Sequence, residues 1–316
     1  MSTLTSESTI QRFNASQVYV HGLLAASILL LWVTGLPITF HESFNWLIGL
    51  VGYGNIVLLH VASGVVLILT GLFYGVYGFL GWVQGQNSLK NVLPGPSDIT
   101  EAIEHLKYLA GRRGQPASGK YTFLQKAEIW IIIFETTVMI LTGVVLYAGT
   151  LGNASPAPAF LITRDIHAIV AVTMLVGVTF HLFMTHAKEW PLDRSMFTGK
   201  VTLGQASEEW KGWVETSVGY VDVAFEDEGH STALTTSLIL GMIVFGVVWV
   251  GVILEYVLSP VPTGGLNVAQ DVAPHALPGG IIGTIYTIGL NVAMLVIFAA
   301  IAALIYGFYE RWTVAE

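Results

Sequence analysis

The stretch Asp165–Lys188 reads DIHAIVAVTMLVGVTFHLFMTHAK. As a helix it is long and apolar enough to span a bilayer. It carries two histidines, His167 and His181, fourteen residues apart. That spacing is about 3.9 turns and about 21 Å of rise. Both imidazoles therefore leave nearly the same face, at opposite membrane depths. Ionisable groups within a membrane are rare and usually functional. Two on one face predict a helix that holds something at each side of the membrane.

The rest of the chain agrees with a membrane setting. Of 316 residues, 53% are hydrophobic and only 11% are charged, and the mean hydropathy is +0.67. Soluble domains carry about 25% charged residues. There is no cysteine, which excludes disulfides, zinc-thiolate sites and iron–sulfur clusters held by this chain. Nothing points to a nucleic-acid partner. The segment Met1–Phe13 is polar with one basic residue, Arg12, and lacks the basic start of a secretory signal, so the first apolar helix is expected to be retained.

Six stretches reach spanning length: about Val18–Phe40, Ile56–Val83, Ile129–Thr150, Ile166–Thr185, Leu234–Leu258 and Ile281–Tyr309. None alternates as a barrel strand would. Lys and Arg set the orientation. Arg12, Lys90, Lys107, Arg112, Arg113, Lys120, Lys126, Lys188, Arg194, Lys200, Lys211 and Arg311 share one side if the spans alternate, and the other side has Arg164. The positive-inside rule then puts both termini in the cytoplasm. Pro94–Asp98 is a turn with a helix-start signal, and Ile99, Ile103, Leu106 and Leu109 recur at helical spacing up to Gly111. This predicts an amphipathic surface helix. A second is expected around Ala206–Tyr220, with Trp210, Trp213 and Val214 on one side. The acidic run Glu226–Glu228 reads as a solvated linker.

Sorting histidines by depth gives two pairs. His60 and His167 lie toward the outer side; His21 and His181 lie toward the cytoplasm. Each pair bridges two helices, which is how a bundle builds a cofactor site. Two imidazoles can fill both axial positions of a haem iron. The pattern predicts two haems b, with iron held by His21, His60, His167 and His181. Gly22, Gly64, Gly143 and Gly177 are candidates for letting a flat macrocycle approach the backbone. His41 reads as interfacial, His186 as facing elsewhere because it lies five residues past His181, and His105, His230 and His275 as solvated loop residues. Glu135, about two turns into the third span, and Glu128, nearer the surface, are candidates for a proton path.

Four pieces of sequence, in this order, carry a family resemblance. They are Gly119-Lys120-Tyr121-Thr122 followed by Gln125-Lys126; Leu141-Thr142-Gly143-Val144; Ile166-His167-Ala168 with His181; and Met196–Thr202 followed by Trp210 and Trp213. Together they resemble the gamma (cytochrome b) subunit of respiratory formate dehydrogenase and the related b-type cytochromes of nickel-iron hydrogenases and thiosulfate reductase. The resemblance covers roughly Arg12–Trp213. It implies two stacked haems b, ligated by the same four histidines. It also implies menaquinone or another quinone beside the cytoplasmic-side haem, at Gly119, Lys120, Tyr121, Thr122, Gln125, Lys126 and His181. The family has Asn where this chain has Thr122. Two C-terminal spans exceed the family's four, and neither contains histidine.

The expected fold is thus an all-α integral membrane protein of six spans. A four-helix di-haem core with its loops occupies residues 1–213, and an extension with two transmembrane helices occupies 214–316. Glu255 and the Pro-rich loop Ser259–Pro278 read as packing or partner-docking features. The expected role is the membrane-anchoring cytochrome b subunit of a respiratory oxidoreductase complex in a prokaryotic cytoplasmic (inner) membrane. It carries electrons between an outer iron–sulfur subunit, attached to a molybdenum/tungsten or nickel-iron catalytic subunit, and the quinone pool, with a quinone-reducing or quinol-oxidising site. The competing readings are a stand-alone transmembrane cytochrome b and a haem-free proton-coupled transporter.

Overall fold

A computed structural model describes residues 6–85, 90–109, 116–150, 157–187, 194–217 and 279–314. The expected fifth span, Leu234–Leu258, lies outside these residues, as do Glu226–Glu228, Glu255, the loop Ser259–Pro278, His230 and His275. Five described helices are long and apolar enough to cross a membrane. They are α1 (Ala15–Thr39), α3 (Tyr53–Val83), α5 (Phe123–Thr150), α6 (Ala157–His181) and α10 (Gly280–Val314). Between them lie a 3₁₀ turn (His41–Phe44), α2 (Asn45–Val51), the amphipathic α4 (Pro96–Leu109), and short α7 (Ser195–Thr198), α8 (Leu203–Glu209) and α9 (Lys211–Ser217).

Two helix starts differ from expectation. α5 begins six residues early because Thr122 and Gln125 form a reciprocal cap. Thr122 Oγ1 accepts from Gln125 N–H (3.2 Å) and Gln125 Oε1 accepts from Thr122 N–H (3.1 Å). This is a capping box, which satisfies two otherwise orphaned backbone donors. α6 begins nine residues early, so Arg164 and Asp165 pair within it at 3.2 Å. His167 and Glu135 therefore sit about three turns into their helices.

Contacts divide the chain into two compact units. One comprises residues 1–19, 72–134 and 181–235, the other 20–71, 135–180 and 236–316. The first contains a feature too short for periodicity to reveal. Strand β1 (Thr9–Gln11) pairs antiparallel with β2 (Lys200–Thr202), Ile10 opposite Val201. The turn before β2 ends in Gly199 at φ 78°, and its carbonyl accepts from Arg12 and Phe13 N–H at 2.8 and 2.9 Å. A Cβ at Gly199 would meet the Phe13 carbonyl at 2.5 Å, so position and conformation both demand glycine. An amphipathic helix was expected around Ala206–Tyr220; the described part, to Ser217, is two short helices. Trp210 sits at their junction, fully buried among Val201, Leu203, Ala206 and Val214. Arg12 is buried too, with its guanidinium 3.3 Å from the Trp210 ring centroid and donating to the Lys120 carbonyl at 3.1 Å.

α4 is fastened to the start of α5 in the same unit. Glu101 accepts from Ser118 Oγ (2.6 Å) and Phe123 N–H (3.1 Å), and Lys126 pairs with Asp98 at 2.7 Å. Desolvation alone would raise Asp98. The Lys126 hydrogen bond, the Gly95 N–H and the Lys126 charge together hold its carboxyl below the ordinary value. His105 is not in a loop: it lies on α4, its ring 5.7 Å from that of Phe123.

In the second unit α10 runs antiparallel along α1 and its following turn. Asn291 donates to the Ser43 carbonyl (3.1 Å) and accepts from Trp46 Nε1 (3.0 Å), while Thr287 meets Ser43 Oγ at 3.2 Å. Twenty-one residues on, the Phe308 ring lies directly against Gly22. Gly22 thus packs α1 against α10. Leu290, Ala293, Met294 and Ile297 bury the face between these contacts.

Candidate functional site

His60 on α3 and His167 on α6 face one another with ring centroids 6.4 Å apart and planes at 67°. Each Nδ1 is held by a threonine. Thr34 Oγ1 lies 2.9 Å from His60 Nδ1, and Thr142 Oγ1 lies 2.8 Å from His167 Nδ1. Both hydroxyls donate backward to their own helix, Thr34 to Leu30 O and Thr142 to Val138 O, each at 2.7 Å. A hydroxyl has one proton to give, so each threonine oxygen accepts from Nδ1–H. With that tautomer, Nε2 is the ring nitrogen each histidine offers a metal. A glycine follows each threonine, and the Cε1 side of the imidazole lies close to it. A Cβ at Gly35 would be 3.2 Å from His60 Cε1, and one at Gly143 would be 3.4 Å from His167 Cε1.

The pair fits a bis-imidazole iron site. With a metal–imidazole bond of about 2.0 Å and a centroid about 1.2 Å behind the bonding nitrogen, two axial imidazoles place their centroids about 6.4 Å apart. The observed separation is the same. A Cβ added at Gly64 or Gly177 would meet nothing within 4 Å, which is the room a flat ligand needs. Thr34, Gly35 and the hydrogen-bonding role of Thr142 are absent from the sequence reading. Both threonines stand in a Thr-Gly dipeptide, but so do Thr70, Thr198 and Thr263, so the dipeptide alone does not mark them.

His181, at the end of α6, has a different partner. Its Nδ1 lies 3.2 Å from Glu128 Oε1 and 3.4 Å from Thr185 Oγ1. Glu128 Oε1 is buried and makes no formed hydrogen bond. His186 does not face elsewhere. Residues 182–187 form a π-helical turn, whose wider winding brings a residue five positions on back beside its start. The His181 and His186 centroids are 5.6 Å apart, and His186 is buried against Phe197. His21 lies half-buried on α1. His41 stacks on Tyr53 at 5.0 Å.

Glu135 on α5 faces Thr173 on α6. The Gly119–Lys126 motif is placed between structural duties. Thr122 and Gln125 cap α5, Gln125 Oε1 also accepts from Trp210 Nε1 (3.2 Å), and Lys126 holds Asp98. Lys120 and Tyr121 sit beside Phe13 and the Arg12 guanidinium. Burial, with the Arg12 charge, lowers the Lys120 ammonium, and burial pushes Tyr121 up to about 12. Gly119 and Lys126 line a polar cleft with Asp98, Glu101 and Glu104.

Apolar spanning helices that present a paired, threonine-oriented bis-histidine site define a membrane b-type cytochrome. Residues 12–199 match the prokaryotic cytochrome b561 family, and the chain belongs to that family. It is a multi-pass protein of the prokaryotic inner membrane, its cofactor is haem b and its work is electron transport. It is similar to the cytochrome b556(fdo) subunit of formate dehydrogenase from Escherichia coli K12, 26% identical over 176 residues, covering 55% of this chain and 78% of that protein. It is also similar to the formate dehydrogenase cytochrome b556 subunit of Haemophilus influenzae, 21% identical over 217 residues, covering 68% and 86%.

Proposed function

We propose that the chain is the membrane-anchoring, di-haem cytochrome b subunit of a respiratory oxidoreductase complex. It moves electrons between an iron–sulfur and catalytic subunit on the outer side and the quinone pool. The observation that carries this reading is the His60–His167 pair at bis-imidazole separation, oriented by two threonines. His60 and His167 hold one haem b; His21 and His181, matched by depth in the sequence, hold the other. Bound haem supplies one-electron carriage at two depths, which a chain of closed-shell side chains lacks.

The protein's own groups do the rest. The threonines fix ring tautomer and orientation, and the glycines admit a flat group. The relatives' names support a complex with a dehydrogenase. The di-haem core is residues 1–213 and the extension is 214–316, giving six spans with both termini in the cytoplasm. The juxtaposition of Gly22 with Phe308 supports a common side for the start of α1 and the end of α10.

The quinone site is the Gly119–Lys126 motif with His181. Because Thr122, Gln125 and Lys126 serve the helix start, Gly119, Lys120 and Tyr121 are the members whose chemistry a head group would use. Thr122 in place of Asn keeps the cap, since both residue types cap helices. Glu128 and Glu135 lie on the same helix, α5, as candidate proton-handling groups.

The test is a reduced-minus-oxidised spectrum with a pyridine haemochrome count on membranes containing the intact complex. Two haems b per chain are expected. His167→Ala and His60→Ala should each remove one haem, His21→Ala and His181→Ala the other, and His186→Ala neither. Zero haems, or two haems retained in His167→Ala, would overturn the reading.

A further inference from the structure

Resting on the assignment of His181 as a haem ligand, we propose that Glu128 is the positioning residue of that imidazole. Its carboxylate takes the Nδ1–H of His181 and makes this ligand a stronger electron donor than the threonine-held pair. Three observations converge. Glu128 Oε1 lies 3.2 Å from His181 Nδ1. That oxygen is buried and otherwise unbonded, a costly condition that a small rotation of the imidazole relieves. Finally, the register matches. Thr142 and His167 meet across α5 and α6, and Glu128 and His181 lie fourteen residues away on their respective helices. Glu128 therefore occupies the place on α5 that Thr142 occupies for the other histidine.

The same position filled by two different acceptors has a chemical meaning. A hydroxyl oxygen that already donates to Val138 O is a modest acceptor. A carboxylate is acceptor-only and bonds N–H more strongly. Pulling on Nδ1–H raises the basicity of Nε2, the nitrogen left for the metal. A more basic axial ligand favours the oxidised iron, and hydrogen bonding to ligands is one of the protein's levers on haem potential.

The experiment is a potentiometric titration of the haems in membranes holding the intact complex, comparing wild type with Glu128→Gln, Glu128→Thr and Glu128→Asp. Glu128→Gln is expected to raise the midpoint of one haem and leave the other in place. Glu128→Thr, which copies Thr142, should do the same, and Glu128→Asp should restore part of the shift. Unchanged midpoints in Glu128→Gln with both haems present would overturn the proposal. So would an equal shift of both haems. Loss of a haem in both Glu128→Gln and Glu128→Thr would make Glu128 a structural prop and overturn it too. His181→Ala separates the two layers: if it keeps two haems, the ligand assignment has failed, whereas loss of one haem without a Glu128→Gln shift sinks only the tuning role.

Discussion

At Thr142 a single hydroxyl does two things. It donates to Val138 O and accepts from His167 Nδ1. Thr34 does the same for Leu30 O and His60. The first bond locks the hydroxyl proton, and that lock determines which ring nitrogen carries hydrogen. Valine at either position keeps the shape and removes the acceptor, leaving a buried N–H without a partner. Losses of such outer partners cost about 10–100-fold in metal affinity. Thr142→Val is therefore expected to lower occupancy of the His60–His167 haem, or shift its midpoint, while the second haem is untouched. Haem content and redox titration check this; a shift confined to the second haem contradicts the pairing. The four histidines were visible in the sequence because imidazoles are conspicuous in apolar helices. Their threonine and glutamate partners were not, because Thr bonding its own helix is common there and only the α5–α6 register singles out these two positions.

Among the described elements, α10 lies beyond the four-span pattern of the family resemblance. Its contacts with α1 are polar near the Ser43 end and steric at the other, where Phe308 fills the space above Gly22. Small residues let helices approach closely in membranes, where packing rather than hydrophobic burial drives association. Gly22→Leu should separate the two helices at a cost of about 1–3 kcal/mol, the usual range for overpacking. Phe308→Ala in the same chain should return most of it. Thermal unfolding in detergent measures both, and a Gly22→Leu variant as stable as wild type would show that this contact holds nothing. The five described spans were legible from hydropathy, but the starts of α5 and α6 were not. The start of α5 follows from the Thr122–Gln125 cap, whose T-x-x-Q signature stands in the sequence. The π turn after α6, which returns His186 to His181, has no signature of its own.

For the molecule as a whole, side and sequence are linked by charge. The absence of cysteine makes the proposed orientation directly testable. Single cysteines at Asn14, Leu50 and Thr313, all exposed, can be probed with a membrane-impermeant maleimide on intact spheroplasts. Leu50→Cys should label from outside; Asn14→Cys and Thr313→Cys should label only after lysis. Labelling of Asn14→Cys and Thr313→Cys from opposite sides would mean an odd number of crossings. The positive charges suggest an orientation from the sequence alone, whereas the architecture of the loops was not legible there. β1 and β2 are three residues each, too short to show a period, and Arg12 reads as a loop cation although it lies buried on Trp210.

The pairing of Thr9 with Thr202 also orders events during synthesis. Residues 9–11 leave the ribosome ahead of α1, yet their strand partner emerges only after four apolar helices have been made. Closing so long a loop costs little more than closing a moderate one, so equilibrium tolerates the arrangement, but the chain must wait for it. The N-terminal strand closes late, as a latch, and its closing reports that the helices between have been threaded in the correct number and sense.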